Sequence, residues 1–284
     1  YHEPNYLAFE FDGPSVITVH DLSWIRYPQH HPLERVRAMN QYFEPALRRA
    51  SRIITDSAFV KQEVIDVFGL SPDIIHPVYL GVESQFRPHT AQETQATLAK
   101  HGLQHQQYLL AVGTLEPRKN LLHLLKAWRS LAPSVRGPTQ LRVIGATGWM
   151  VQDVLDSTGE QDNIHLLGSL TDEALAAQLL GAKFFVYPSL YEGFGLPVLE
   201  AMSVGIPVLT SNVGATQEIA AQAALLVDPH SVDSMAQGLA RLLQEPELRA
   251  NLRAAGLQRA AQFSWAQTAH QTLQALQAAG TAAP

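Results

Sequence analysis

The feature of this sequence that most constrains its fold is a repeated alternation of short apolar runs with amphipathic stretches. Apolar runs at 15–19, 51–55 and 74–78 are typical of buried strands, and helical spacing fills 32–50 and 58–68 between them. Parallel strands need a crossover connection, which is usually a helix. The alternation therefore predicts an α/β fold with parallel sheets.

A polar segment at 86–102 interrupts this alternation, which then starts again. The second half is predicted to contain strands at 108–112, 141–144, 164–167, 183–188, 207–210 and 224–227. A chain of 284 residues is long enough for about two domains. We expect a first domain at 1–88 and a second at 89–284, with the last helix returning to the first. With about three strands and a start at Tyr1 rather than Met, the first domain is expected to be incomplete at its N-terminal end.

Composition excludes several classes of function. The net charge of −6 argues against nucleic acid as the main partner. The sequence has no cysteine, so it has neither disulfides nor thiolate chemistry, which fits a cytoplasmic protein. It has no apolar run of the ~20 residues that a membrane span needs. Residues 20–61 carry three more basic than acidic side chains, which favours either peripheral contact with the inner face of a membrane or a solvated helix face.

The segment 187–202, YPSLYEGFGLPVLEAM, has the order of a site for anions. An apolar run leads into a glycine-containing turn, and Pro197 then opens a helix. Helix N-termini favour negative charge because their first N–H groups are unpaired. Glu192 and Glu200 flank this turn and could hold the hydroxyls of a sugar and a ribose. The alternative is an ordinary βα turn with two solvated glutamates.

A second loop, GTLEPRKN at 113–120, follows the first strand of the second half. Arg118 and Lys119 lie just before a helix. Arginine can grip a phosphate with two hydrogen bonds, and lysine acts as a mobile point charge. Loops at the carboxyl ends of parallel strands converge on ligands, so the two loops are expected to act together. The alternative is a solvated turn with a basic pair.

Other chemistries lack their motifs. No complete GxGxxG with a following acidic residue and no GxxxxGK[ST] is present, so a dinucleotide enzyme and a P-loop kinase are disfavoured. The twelve histidines show no HExxH and no clustered ligand spacing, so we expect no metal.

Four segments together resemble a known family. VITVHDLSWIRYPQHHP, GTLEPRKN, LLGSLTDEALAAQLL and YPSLYEGFGLPVLEAMSVGIPVLTSNVG occur in that order. They resemble the retaining family-4 glycosyltransferases of the GT-B fold, and Glu192 and Glu200 match the EX7E pattern of that family. The resemblance implies two Rossmann-like, doubly wound domains facing a cleft, of which the first is truncated here.

The resemblance also implies roles for individual residues, with a nucleotide-diphosphate sugar as donor. Arg118 and Lys119 would neutralise the charge of the diphosphate. Glu200 would accept hydrogen bonds from the ribose hydroxyls, and Glu192 would orient the hydroxyls of the transferred sugar. The catalytic set would be completed by His20, reaching the transferred sugar from the first domain. The remaining donor-binding residues would be Gly113, Thr114, Leu170 (beside the base), Gly193, Phe194, Gly195 and Leu196. The family often has Arg where Thr114 stands, so Arg118 is expected to supply that charge.

The resemblance favours one function and leaves two alternatives. We expect a retaining hexosyltransferase that uses a GDP- or UDP-sugar of the mannose or rhamnose type, because GTLEPRKN resembles O-antigen enzymes. Its acceptor would be a glycan or a lipid-linked glycan in the synthesis of a cell-surface polysaccharide such as lipopolysaccharide, and the reaction would need no metal. The alternatives are a nucleotide-sugar-binding fragment without turnover and a GT-B-like sugar-nucleotide epimerase.

Overall fold

The computed structural model describes residues 1–100, 102–148 and 162–281. Its strands are β1 (His2–Glu3), β2 (Val16–Val19), β3 (Arg52–Thr55), β4 (Ile75–Pro77), β5 (Tyr108–Val112), β6 (Gln140–Ile144), β7 (Ile164–Leu166), β8 (Phe184–Tyr187), β9 (Val208–Ser211) and β10 (Leu225–Val227). Its helices are α1 (Ser23–Arg26), α2 (Leu33–Arg49), α3 (Ala58–Phe68), α4 (Ala91–Lys100), α5 (Leu121–Ser130), α6 (Pro133–Arg136), α7 (Asp172–Gly181), α8 (Leu196–Ser203), α9 (Gly214–Ala220), α10 (Val232–Gln244), α11 (Pro246–Ala260) and α12 (Trp265–Thr281). The predicted α/β architecture with parallel sheets is confirmed.

The chain divides into two compact units. Unit 1 comprises Tyr1–Gly81, the short segment Tyr191–Gly195 and the C-terminal residues from Phe263 onward. Unit 2 comprises Val82–Leu190 and Leu196–Gln262. The division between residues 81 and 82 precedes the predicted boundary between 88 and 89. Tyr191–Gly195 lies in unit 1, whereas the sequence predicts it in the second domain.

Unit 1 is built on a parallel sheet with the strand order β1-β2-β3-β4 among the described residues. The predicted three strands correspond to β2, β3 and β4, and β1 is an addition that pairs His2 with Val16. One face of the sheet carries a core with side chains of α2 and α3, including Phe43 and Val64. On the other face Ile54 packs with Ala275 and Ala279 of α12.

The bounds of α3 follow from local chemistry. Ser57 accepts a hydrogen bond from the N–H of Val60 at 3.2 Å and so caps the first turn. The helix ends at Gly69, whose φ of 64° lies in the left-handed region that glycine adopts without steric cost. The predicted helix at 58–68 is therefore confirmed. Asp56, the residue before this cap, makes a contact with His20 that is described below.

Unit 2 is built on a parallel sheet with the order β10-β9-β8-β5-β6-β7 within the described ranges. The chain fills one side of this sheet with β5, β6 and β7, and then returns to fill the other side with β8, β9 and β10. The strand order therefore reverses between β5 and β8, which is where doubly wound sheets bind ligands. Trp128 of α5 and Met235 and Leu239 of α10 are fully buried in the core of this unit.

No helix in the described part of the chain combines the length and the apolar character that crossing a membrane requires.

Candidate functional site

The loop after β5, residues 113–120, is tied to the segment that follows β6. The N–H of Gly113 donates to the carbonyl of Ile144 at 2.9 Å, and that of Leu115 donates to Ala146 at 2.9 Å. Gly148 in turn donates to the Leu115 carbonyl at 3.1 Å. These backbone bonds continue the β5–β6 pairing beyond the strands and fix the course of the loop.

Glycine is required where these segments approach each other. A Cβ on Gly145 would lie 1.9 Å from the carbonyl oxygen of Gly113, which no side chain could tolerate without a backbone shift. The N–H of Gly145 donates to Gly168 at 2.9 Å, which brings in the loop after β7. Leu170 lies two residues further along that loop. The loops after β5, β6 and β7 therefore meet at one edge of the sheet.

The two adjacent cations of the β5 loop have different partners. Nη2 of Arg118 lies 2.7 Å from Oε1 of Glu116, and both side chains are largely buried. Nζ of Lys119 donates to the hydroxyl of Tyr187 at 2.8 Å and lies 5.2 Å from the centroid of that ring. Because Tyr187 is the last residue of β8, the ammonium group of Lys119 lies at the β5–β8 reversal of the sheet. Arg118 is thus oriented by the buried carboxylate of Glu116, and Lys119 by the hydroxyl of Tyr187.

Asn120 connects this loop to the carboxyl ends of two further strands. Its φ of 59° is left-handed, a conformation that asparagine tolerates better than most residues. The side-chain amide donates to the carbonyl of Pro188 at 3.1 Å, after β8, and to that of Pro229 at 2.7 Å, after β10. The start of α5, which follows β5, is thereby held against the half of the sheet on the other side of the reversal.

The predicted glycine turn after β8 leads into α8. The helix begins at Leu196, one residue before Pro197, and Glu200 is half-buried within it. Gly195 has a φ of 101°, which explains why glycine stands at this turn. Unit 2 thus carries Glu200 on the helix that starts at the carboxyl end of β8.

Within unit 1, the segment Tyr191–Gly195 is packed tightly against the end of β2. A Cβ on Gly193 would lie 1.8 Å from the carbonyl oxygen of His20 and 3.0 Å from Cβ of Asp21. The hydroxyl of Ser57 donates to the Gly193 carbonyl at 2.7 Å. This close approach requires glycine at position 193. It also brings the backbone of the neighbouring residue Glu192, which is buried, close to the backbone of His20.

Tyr191 anchors the other side of Glu192. Its hydroxyl accepts from the N–H of Leu22 at 2.9 Å and donates to Oε2 of Glu63. Oε1 of Glu63 lies 2.6 Å from Nε of Arg26. Burial raises the pKa of the Tyr191 phenol, so it stays protonated and available as a donor. Glu192 therefore lies between Tyr191 and Gly193, each of which is hydrogen-bonded to other residues of unit 1.

His20 is hydrogen-bonded through both ring nitrogens. Nδ1 lies 2.8 Å from Oδ2 of Asp56, and Nε2 lies 2.9 Å from the carbonyl oxygen of Pro4. The bond to Asp56 raises the pKa of His20 above its usual value. Because a carbonyl can only accept, the arrangement favours the imidazolium form, with both nitrogens donating. Asp56 is therefore a hydrogen-bond partner of His20.

The predicted site residues fall into two groups. Unit 2 holds Gly113, Thr114, Arg118, Lys119, Leu170, Leu196 and Glu200 at the carboxyl edge of its sheet. Unit 1 holds His20, Glu192, Gly193, Phe194 and Gly195. Sequence reasoning missed the partners that orient these residues, which are Asp56, Glu63, Glu116 and Tyr191. Only Asp56 had a usable signal, since the pairing of Val19 with Thr55 puts the next residues, His20 and Asp56, side by side.

Among residues 1–100, 102–148 and 162–281, no group of three or more His, Cys, Asp or Glu side chains could hold a metal ion.

Comparison with known proteins identifies the family. A family model described as "Glycosyl transferases group 1" matches residues 93–259, which is more than half of the chain. This chain belongs to the group 1 glycosyltransferases. A second model, "Glycosyltransferase Family 4", matches residues 2–86 of this glycosyltransferase. The expected family is thus confirmed on both halves.

Two relatives of this glycosyltransferase have described functions. It is 39% identical over 279 residues to O-antigen chain mannosyltransferase B of Escherichia coli, covering 97% of this chain and 73% of that protein. It is 30% identical to the MMP alpha-(1->4)-mannosyltransferase of Mycolicibacterium hassiacum, covering 86% of this chain and 62% of that protein. Neither name supports the epimerase alternative.

Solved structures agree with the fold. Sucrose-phosphate synthase from Thermosynechococcus elongatus superposes with a TM-score of 0.76 at 24% identity, covering 94% of this chain and 68% of that one. HepE from Anabaena, solved with UDP and glucose, superposes with a TM-score of 0.75 at 18% identity, covering 93% and 71%. The expected GT-B class, with two Rossmann-like domains, is confirmed.

Proposed function

We propose that this glycosyltransferase moves mannose from a nucleotide-diphosphate sugar to a glycan or lipid-linked glycan, with retention of anomeric configuration. The proposal rests on the β5 loop, which presents Lys119 and Arg118 at the strand-order reversal of unit 2. The choice of mannose rests on the relatives, both of which are named as mannosyltransferases. The donor would be a GDP- or UDP-sugar, and UDP is the nucleotide in the HepE structure.

The β5 loop would act on the leaving group. Negative charge builds on the departing diphosphate as the bond to the sugar breaks. A fixed cation at that position stabilises the transition state more than the ground state, and so accelerates the reaction. Lys119 would supply this charge directly, and Arg118, oriented by Glu116, would supply a second one. The N–H groups near Gly195 and Leu196 would contact the same phosphates.

The carboxylates and His20 would act on the sugars of the donor. Glu200 would accept hydrogen bonds from the ribose, and Glu192 would accept them from hydroxyls of the transferred sugar. His20 would exchange the bond between its Nε2 and the Pro4 carbonyl for a bond to that sugar, while Asp56 keeps Nδ1 in place. The departing phosphate would then take the proton of the acceptor hydroxyl on the same face, which retains the configuration.

The same site supports a second candidate, a nucleotide-sugar-binding unit that does not turn over by itself. The observation that favours it is coverage, because the chain spans 73% and 62% of the two mannosyltransferases.

In either case we propose that the protein works in the cytoplasm. The basic segment 20–61 would allow peripheral contact with an anionic membrane surface.

A panel of sugar nucleotides tests the proposed function. We expect GDP-mannose or UDP-linked hexoses, incubated with the protein and a mannose-containing acceptor, to yield an elongated product with the anomeric configuration of the donor. Release of nucleoside diphosphate and the product's NMR spectrum are the measurements. Binding of a donor without transfer would favour the non-turnover candidate. A folded protein that neither binds nor transfers any donor would exclude both.

A further inference from the structure

A cavity of about 280 Å³ lies at the amino edge of the unit 2 sheet. It is lined by Lys183, which immediately precedes β8, and by Pro207, which immediately precedes β9. The β5 loop and Glu200 lie at the carboxyl edge of the same parallel sheet. The cavity is therefore a separate site, at the opposite edge from the proposed donor-binding residues.

Three lysine and arginine side chains line this cavity without a carboxylate. They are Lys183, Arg249 and Arg253, and none of the described lining residues is Asp or Glu. In the described part of the chain, none of these three side chains forms an ion pair. Burial and the charge of Arg249 lower the pKa of Lys183. The cluster is thus a region of positive potential that an anion would stabilise.

The polar groups of the cavity are partly fixed in place. Nη1 of Arg249 donates to the carbonyls of Leu242 at 2.7 Å and Leu243 at 3.2 Å, in the last turns of α10. These two bonds hold the guanidinium of Arg249 in place. Its other N–H groups have no hydrogen-bond acceptor among the described residues. Nδ1 of His105, which also lines the cavity, is buried and has no hydrogen-bond partner in the described structure. A buried polar atom of this kind usually has a partner.

We propose that this cavity binds a phosphate group, held by Lys183, Arg249 and Arg253. A guanidinium fixed on one side can present two parallel N–H donors to phosphate oxygens, and lysine adds a point charge. Leu180 and Ile206 give the cavity an apolar wall for the carbon atoms of a phosphate ester. The volume lies near the lower end of the roughly 300–1,000 Å³ of ligand pockets, so the bound group is small. A free phosphate ester and the headgroup of a phospholipid share this chemistry.

Calorimetric titration with inorganic phosphate at constant ionic strength tests whether the cavity binds a free phosphate group. Lys183→Gln combined with Arg253→Gln is expected to weaken phosphate binding by about tenfold or more, as the loss of charge-assisted hydrogen bonds implies. The matched control is Lys126→Gln with Arg241→Gln, which removes the same charge from exposed helix positions outside the cavity. This control variant should retain the native affinity for phosphate.

Co-sedimentation with lipid vesicles tests whether the cavity binds a phospholipid headgroup. Vesicles of equal parts phosphatidylcholine and phosphatidylglycerol are compared with vesicles of phosphatidylcholine alone. Loss of vesicle binding in the cavity variant but not in the control assigns the site to a headgroup. Arg253→Gln alone, at an exposed position, serves as the probe if the double variant fails to fold. The proposal is overturned if the native protein binds neither probe, or if cavity and control variants lose binding equally.

Discussion

Replacing Lys119 by Met is expected to lower kcat/KM for sugar transfer by about 10²–10³-fold, the loss typical of removing one group that stabilises a developing charge. The side chain lies at the β5–β8 reversal, with Nζ 2.8 Å from the Tyr187 hydroxyl. Methionine keeps a similar length and apolar stem but cannot carry charge. Steady-state kinetics with the preferred donor measure the effect.

Lys126→Met is the matched control for this substitution. Lys126 is exposed on α5, seven residues further along the chain, and lines none of the loops at the carboxyl edge. Its replacement should leave kcat/KM within about twofold of the native value, as for an ordinary surface position. An equal loss of kcat/KM in the two variants would mean that Lys119 acts through the net charge of the protein and not through contact with a phosphate.

Replacing Gly193 by Ala is expected to lower the free energy of unfolding by about 2–3 kcal/mol and to abolish most transfer activity. The new Cβ would lie 1.8 Å from the His20 carbonyl oxygen, which is a backbone atom and cannot rotate away. Either the end of β2 shifts or the segment Tyr191–Gly195 moves away from it. Both outcomes displace Glu192 from its place near His20. Denaturant unfolding and transfer kinetics measure the two effects.

Gly280→Ala is the control within the same unit. Gly280 lies in α12, and a Cβ there would meet nothing within 4 Å. Alanine is favoured over glycine inside helices by about 1 kcal/mol, so this variant should be as stable as the native protein or more so. If Gly193→Ala were equally stable and active, the packing of Tyr191–Gly195 against the end of β2 would not be needed to position Glu192.

Local signals in the sequence predicted much of the fold. The helix at 58–68 has a serine cap and a glycine stop, and the structure places its ends at the same residues. The strand at 108–112 is an apolar run bounded by a glycine, and it too is found as predicted. In contrast β1 has only two residues and no apolar pattern, and it exists through its pairing with β2. Such a strand depends on tertiary context.

The candidate site was predicted by its residue types but not by its supporting contacts. The order of a strand, a charged or glycine-containing turn and a helix pointed to Lys119 and Glu200 at one sheet edge. The link between Tyr191 and Glu63 joins residues far apart in the chain, and no local pattern encodes it. The ion pair of Arg118 with Glu116 is local, but charged neighbours in a turn are ordinary in sequence.

The most direct test of the account is calorimetric titration of GDP and UDP into the native protein, Lys119→Met and Glu200→Ala, because it needs no acceptor and no turnover. The account predicts that at least one nucleoside diphosphate binds the native protein. Each variant should weaken that binding by about tenfold or more, as expected for the loss of a charged hydrogen bond. Absence of binding to the folded native protein, or native affinity in both variants, would contradict a nucleotide-sugar site at the carboxyl edge of the unit 2 sheet.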